Sequence, residues 1–327
     1  MKAGEATLRH LLGDMDAALA HPATTEVVVN EPGRIGVEQD GFWSWHDAPG
    51  LTYDRLEAIA ILAARMGGKD VGNGVPSCAS TLPDGQRVKI MLPPAVPEGT
   101  VGLTIRRRAL SFVPTLQWLA ERGYFDMLNP AVDWVRYFSE TVIGAGRTTI
   151  VTGGIGESKT TMAEALVRAI PLELRVVTIE GSSEWQNLPQ RNWVSLFFDE
   201  ADPDSATKRV QDAMQLRPDW LCFQEIRAGG DAWSLLRCLK IGTPGITTVH
   251  APNARKALNS MESMIRQSEA GRSMSIEDVH RELRQYVSHV LCCRRFLPRQ
   301  PGERVRYRLV EVLELGETAD ADRMVSA

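Results

Sequence analysis

No stretch of the 327-residue sequence approaches the ~20 apolar residues that a membrane-crossing helix requires. The start lacks a basic segment followed by an apolar run, so a cytoplasmic protein is expected, with any link to the inner membrane peripheral. Positive charge is also scarce. The formal net charge is -4, and the densest basic run is only Arg106-Arg107-Arg108. That balance argues against broad electrostatic capture of nucleic acid, and no sequence-specific nucleic-acid binding is expected. The five cysteines, Cys78, Cys222, Cys238, Cys292 and Cys293, form no CxxC pair. Their apolar neighbours, as in Leu221-Cys222-Phe223, suit buried thiols in a reducing compartment. Adjacent Cys292 and Cys293 point to opposite faces of a strand, a poor disulfide geometry. Internal repeats and low-complexity runs are missing too, which excludes solenoids and arrays.

What is present is enough for a packed core: 43% hydrophobic and 24% charged residues, over a length that suggests two domains. Leu8, Leu11, Leu12, Met15 and Leu19 recur at helical spacing through 5–20. Segments 25–30 and 34–38 are rich in β-branched residues and are parted by the turn Glu31-Pro32-Gly33. A helix follows Leu51, with Thr52 as its N-cap and Leu56, Ile59, Ala60, Ala63 and Met66 on one face. Strands are expected at 86–92 and 100–107, with Asp84-Gly85 marking a turn. These elements predict an α+β domain over 1–108, then a linker over 109–129 that carries a short helix.

From 130 to 327 strands and helices alternate, which predicts a parallel sheet flanked by helices. Strands are expected at 148–152, 175–180, 193–198, 219–225 and 246–250, and helices at 159–169, 205–216 and 231–241. Helical stretches at 254–268 and 276–286 and β segments at 290–296 and 305–315 complete the chain.

Gly153-Gly154-Ile155-Gly156-Glu157-Ser158-Lys159-Thr160-Thr161 lies between the apolar strand around Ile150-Val151 and a helix carrying Met162, Ala165, Leu166 and Ile170. In that context the loop delivers backbone N–H groups to phosphate at a helix N-terminus. Lys159 is placed to neutralise the β- and γ-phosphates of ATP, and the Thr160 hydroxyl to hold Mg²⁺. Ser158 stands where the second glycine of the pattern belongs. The bland alternative is a glycine-rich strand–helix turn.

Three further apolar strands end in a polar group. Arg175-Val176-Val177-Thr178-Ile179-Glu180 is followed four residues later by Glu184. Leu221-Cys222-Phe223-Gln224-Glu225 ends in an acid of Walker B form, and Ile246-Thr247-Thr248-Val249-His250 ends in histidine. Each alone could be a solvated strand end. Together they would converge on the sheet edge where α/β folds bind ligands.

With these motifs the chain resembles the hexameric traffic ATPases of type IV secretion systems, relatives of the type II secretion and pilus-retraction motors. The resemblance spans nearly the whole chain. Its most specific blocks are Thr25-Glu26-Val27-Val28-Val29-Asn30-Glu31-Pro32-Gly33, Leu82-Pro83-Asp84-Gly85-Gln86-Arg87, and Leu92-Pro93-Pro94 through Thr104-Ile105-Arg106-Arg107. In the second domain, 178–184 looks like the family's acidic box, 216–227 its Walker B region and 242–251 its His box.

The resemblance implies a RecA-like P-loop motor domain preceded by a smaller α+β N-terminal domain, each forming one ring of a homohexamer. It implies ATP and Mg²⁺ held by 153–161, with Arg106 contacting phosphate from the first domain. Glu180 would lie near the attacking water, Glu225 would support Mg²⁺ through its water shell, Glu184 would assist at the metal, and His250 would lie near the γ-phosphate. Other inner-membrane ATPases and channel components of a type IV secretion system are the implied partners. Besides Ser158, the sequence departs from the family pattern at Gly181, Gln215, Gln224 and Thr243. An ATP-hydrolysing motor is therefore expected, with a catalytically weakened ring-forming subunit as its rival and a nucleic-acid translocase of similar fold as a third reading.

Overall fold

The computed structural model describes residues 4–39, 41–72, 74–107, 113–181, 183, 185–199, 202, 204–298, 300, 303–316, 318 and 321–326. The chain divides into two compact units. One comprises 1–113 with 298–305, and the other 114–297 with 306–327.

The first unit opens with two short helices, α1 (Glu5–Leu12) and α2 (Asp14–Ala20), where the sequence suggests one helical stretch. Gly13, at φ 51°, breaks them apart. Strands β1 (Thr24–Val29), β2 (Arg34–Gln39) and β3 (Phe42–Asp47) follow, then α3 (Tyr53–Met66), β4 (Ser77–Thr81), β5 (Arg87–Met91) and β6 (Gly102–Arg106). Thr52 caps α3 by accepting from the Arg55 N–H.

The strands form one antiparallel sheet in the order β3-β2-β1-β6-β5-β4. Period-2 alternation aims Val27, Val29, Ile35, Val37, Val88, Ile90, Leu103 and Ile105 at the helices. The opposite face is charged: in register across it stand Glu38, Glu26, Arg106 and Arg87. Neither β3 nor β4 was expected from the sequence. Every residue of β3 is exposed, and Ser77-Cys78-Ala79-Ser80-Thr81 is small and polar, so neither carries a hydrophobic alternation to read.

The second unit contains α4 (Leu116–Glu121), α5 (Trp134–Arg136) continued by a π-helical stretch Tyr137–Ile143, β7 (Thr149–Gly153), α6 (Lys159–Ala169), β8 (Val176–Glu180) and β9 (Trp193–Phe197). It continues through α7 (Ser205–Gln215), β10 (Trp220–Ile226), α8 (Gly229–Lys240), β11 (Gly245–His250), α9 (Ala254–Gln267), α10 (Ile276–Tyr286), β12 (His289–Phe296), β13 (Arg306–Glu314) and β14 (Arg323–Met324). The sheet order is β14-β13-β12-β7-β11-β10-β8-β9. The run from β12 to β9 is parallel, and β13 and β14 extend it antiparallel.

Both faces of this sheet are covered. One core joins α4, the 134–143 helix and α6 to the sheet, and the other joins α7 to α10. That is why β7 and β8 are buried at every position rather than at alternate ones. Residues 114–129, within the segment expected to link the domains, place Leu116, Leu119, Tyr124, Phe125 and Leu128 in the core beside α6. The expected short helix is there as α4, packed into the second unit.

Candidate nucleotide site

β7 enters the glycine-rich loop from the centre of the sheet. Buried Thr152 fixes its end by donating to the carbonyls of Val249 and Ala251, 3.1 Å each, at the close of β11. Gly153 then turns at φ 150°, where a Cβ would come within 2.7 Å of the Cys293 carbonyl oxygen; only glycine fits there. Ile155 stands exposed at the loop tip. The Gly154 N–H donates to Glu157 Oε2 at 2.5 Å, so this carboxylate closes the loop on itself. Ser158 adopts the left-handed conformation, φ 64° and ψ 24°, immediately before α6 begins at Lys159. For a residue with a Cβ that conformation costs roughly 1–2 kcal/mol. Thr160 and Thr161 lie half-buried in the first turn of α6.

Lys159 is buried, and its ammonium donates to the Gly154 carbonyl at 2.8 Å and to His250 Nδ1 at 3.0 Å. An ammonium cannot accept, so Nδ1 is the acceptor and the neutral ring carries its proton on Nε2. That Nε2 lies 2.6 Å from Glu225 Oε1, while Glu225 Oε2 accepts from the Arg227 guanidinium at 2.9 Å. The ends of β7, β11 and β10, neighbours in the sheet, thus bring Lys159, His250 and Glu225 into one chain of contacts.

Glu180 is fully buried at the end of β8. Its Oε1 accepts from Thr178 Oγ1 at 2.8 Å and Ser195 Oγ at 2.5 Å, and its Oε2 accepts from the Trp185 N–H at 2.9 Å. Gln224 bridges the neighbouring strand ends: its Oε1 accepts from the Gly181 N–H at 2.8 Å. Glu184 lies outside the described residues. Arg106, in the first unit, pairs with Glu26 at 3.1 Å and stands opposite Arg87 in register. Arg87 closes the Leu82–Arg87 block, and the strand register alone sets it beside Arg106.

The departures from the family pattern separate into two groups. Ser158, Gly181 and Gln224 lie at the end of the sheet that carries the phosphate loop. Gln215 closes α7 and Thr243 precedes β11, by the ends of the strands opposite the loop. They are roughly 15 Å from the loop at about 3.3 Å per strand residue. These two therefore stand apart from the glycine-rich loop.

Sequence reasoning also missed what braces the loop and its helix. Tyr124, in the expected linker, places its hydroxyl 2.8 Å from Ser158 Oγ. Arg168 of α6 forms a buried ion pair with Glu164 at 2.7 Å and donates to the carbonyls of Gln186 and Asn187. Gln190 answers by donating to the carbonyls of Val167 and Ile170, 3.0 and 2.8 Å away. Cys292 and Cys293 behind the loop are free, with thiols pushed up to about 12 mainly by burial.

The family described as "Type II/IV secretion system protein" matches residues 129–305. Protein VirB11 of Agrobacterium fabrum is 36% identical over 293 residues, 82% of this chain and 83% of that protein. The type IV secretion system protein VirB11 of Bartonella quintana is 29% identical over 316 residues, covering 87% and 88% respectively. Among solved structures, the VirB11 ATPase from the Brucella suis type IV secretion system, in complex with sulphate, aligns over 95% of both chains with a TM-score of 0.51 and 27% identity. A parallel sheet ending in a glycine-rich loop, preceded by a smaller α+β unit and matched over most of its length by these relatives, establishes that the chain belongs to the type II/IV secretion ATPase family.

Proposed function

We propose that the protein is an ATP-hydrolysing motor subunit of a type IV secretion system, working as a homohexameric ring. The observation that carries this reading is the run of contacts from the Gly154 carbonyl through Lys159 and His250 to Glu225. It joins a phosphate-loop lysine to groups on two neighbouring strands, as phosphoryl transfer requires. Catalysis of that reaction is positioning plus charge stabilisation, and little covalent chemistry falls to the protein.

The residues fit a nucleotide. The left-handed turns at Gly156 and Ser158 lead the loop into the N-terminus of an 11-residue helix, an end that favours an anion, and the buried Lys159 ammonium stands beside it. On binding, Lys159 exchanges its contacts with Gly154 and His250 for the β- and γ-phosphates. His250, released from the ammonium, stays held through Nε2 by Glu225, with its ring beside the γ-phosphate region. Mg²⁺ would be held by the Thr160 hydroxyl and, through water, by Glu225, and when bound it neutralises charge on the transferring phosphate. Glu180 orients the attacking water: the Thr178 and Ser195 hydroxyls and the Trp185 N–H fix the carboxylate in one direction, which aiming a nucleophile demands. Arg106 is assigned to the phosphates from the first unit.

Among the described residues no helix is long and apolar enough to cross a membrane. Association with the inner membrane is accordingly assigned to docking on channel components and companion ATPases. The decisive experiment is ATP turnover by the full chain with Lys159→Ala as control. The variant loses nucleotide binding and more than 100-fold of turnover, since the main charge partner of the phosphates is gone. Turnover that survives the substitution would overturn the reading. Light scattering with an ATP analogue at micromolar protein should give a mass several times 36.1 kDa, and a strict monomer would sink the ring.

A further inference from the structure

Serine occupies the loop position where a glycine belongs, yet the backbone there keeps the left-handed conformation that glycine would supply. Something must hold it. The Ser158 hydroxyl donates to the Glu157 carbonyl at 2.6 Å, so its oxygen is left to accept, and the Tyr124 hydroxyl stands 2.8 Å away as donor. The phenol is buried to 3% exposure and lies beside the Cys293 thiol; burial raises its pKa well above the ordinary tyrosine value, which keeps it in the donating O–H form.

Tyr124 is itself rigidly placed. Its N–H donates to the Leu119 carbonyl at 3.0 Å, its carbonyl accepts from the Leu309 N–H at 2.8 Å on β13, and its ring packs edge-on against Phe125 at 5.7 Å. Side chain and backbone are therefore anchored to α4 on one side and to the sheet on the other.

We infer that Tyr124 is a positioning residue for nucleotide binding, a latch that locks Ser158 in the left-handed conformation and so presents the loop amides to phosphate. It touches no substrate and acts through Ser158. The inference rests on the phosphate-loop reading, and adds that this chain replaces glycine's conformational freedom with a hydrogen bond. A loop that must otherwise sample other conformations binds in proportion to the fraction of time it is competent. Removing the latch lowers that fraction and leaves the chemical step alone.

The test is a titration of a fluorescent ATP analogue with Mg²⁺, paired with steady-state turnover, on the full chain. Tyr124→Phe keeps the ring and deletes only the hydroxyl. It should weaken binding about three- to tenfold, the effect of one hydrogen bond. KM should rise in step while kcat stays within about twofold. Ser158→Ala, which keeps the Cβ and loses both the acceptor and the bond to the Glu157 carbonyl, should weaken binding at least as much as Tyr124→Phe, and the double variant should be no weaker than Ser158→Ala.

In a Ser158→Gly background, Tyr124→Phe should change binding less than twofold, because glycine needs no latch. Equal weakening by Tyr124→Phe in the serine and glycine backgrounds, or none in the serine background, overturns the latch while leaving the phosphate loop in place. A parent protein that binds no analogue, with Lys159→Ala indistinguishable from it, overturns the phosphate loop and the latch with it.

Discussion

The two sheets of this protein treat polar groups in opposite ways. In the antiparallel sheet of the first unit, charges stand side by side on the face away from the helices: Glu26, Arg106 and Arg87 line up across β1, β6 and β5, with Arg106 exposed and the other two half-buried. In the parallel sheet of the second unit both faces are covered, so polar groups are driven to strand ends, or else buried and held by specific partners. Glu180, Thr152, Lys159 and His289 are all of this second kind. Chemistry that depends on fixed geometry belongs with the second arrangement, because a buried group pays heavily for leaving its partners. The first arrangement supplies charge that can be rearranged cheaply.

The largest test of this contrast is pH. His289 opens β12, almost wholly buried, with Nε2 2.9 Å from the Tyr137 hydroxyl and with Glu314 and Arg147 nearby. Burial pushes its pKa down from 6.5 to about 4. Below 6.5 the unfolded chain takes a proton that the folded chain refuses, so stability is fully present above that pH and is lost as pH falls toward 4. The integrated loss is about 3 kcal/mol. Urea midpoints between pH 7.5 and 4.5 should fall accordingly, and His289→Gln should flatten that acid limb. An unchanged limb in the variant would mean that the buried sheet carries no such load.

A smaller effect is expected at Glu180. Glu180→Gln weakens the charge-assisted bonds from Thr178, Ser195 and Trp185 at once and faces one donor with another, so stability should drop by about 1–3 kcal/mol. Turnover should be abolished while analogue binding stays within about threefold. Equal loss of binding and turnover would show that the acid supports the fold alone.

The smallest effect is expected from the open face. Arg106 is more than half exposed and its pair with Glu26 is a surface one, so Arg106→Ala should shift stability by less than about 0.5 kcal/mol. Its proposed phosphate contact should nevertheless cost about tenfold in kcat/KM. A stability loss comparable to that of Glu180→Gln would erase the distinction between the two sheets.

The same contrast governs what could be read from the sequence. Strands β7, β8, β10 and β11 are legible to within a residue or two because a doubly covered strand is a short run rich in apolar and β-branched residues, threonine included, with no charge until its last residues. β3 was invisible for the opposite reason: Phe42, Trp43 and Trp45 lie exposed on an edge strand, so no alternation marks a buried face. The glycine-rich loop and the strand ends at Glu180, Glu225 and His250 were marked by type and spacing alone. What spacing cannot convey is contact across the chain. Tyr124 is 34 residues from Ser158 in sequence and one hydrogen bond from it in space, in a stretch whose proline and short helix suggested a linker. The separation of Gln215 and Thr243 from the loop likewise emerges only once α7 and β11 have directions.

The tie between α6 and the segment after Glu180 has a mechanical meaning. Four hydrogen bonds, from Arg168 to the Gln186 and Asn187 carbonyls and from Gln190 to those of Val167 and Ile170, act in parallel across a short gap. Stiffness adds for springs in parallel, so the pair behaves as one strut. The segment runs on into β9 at the margin of the sheet. A displacement of α6 is therefore coupled to the segment that leads into β9.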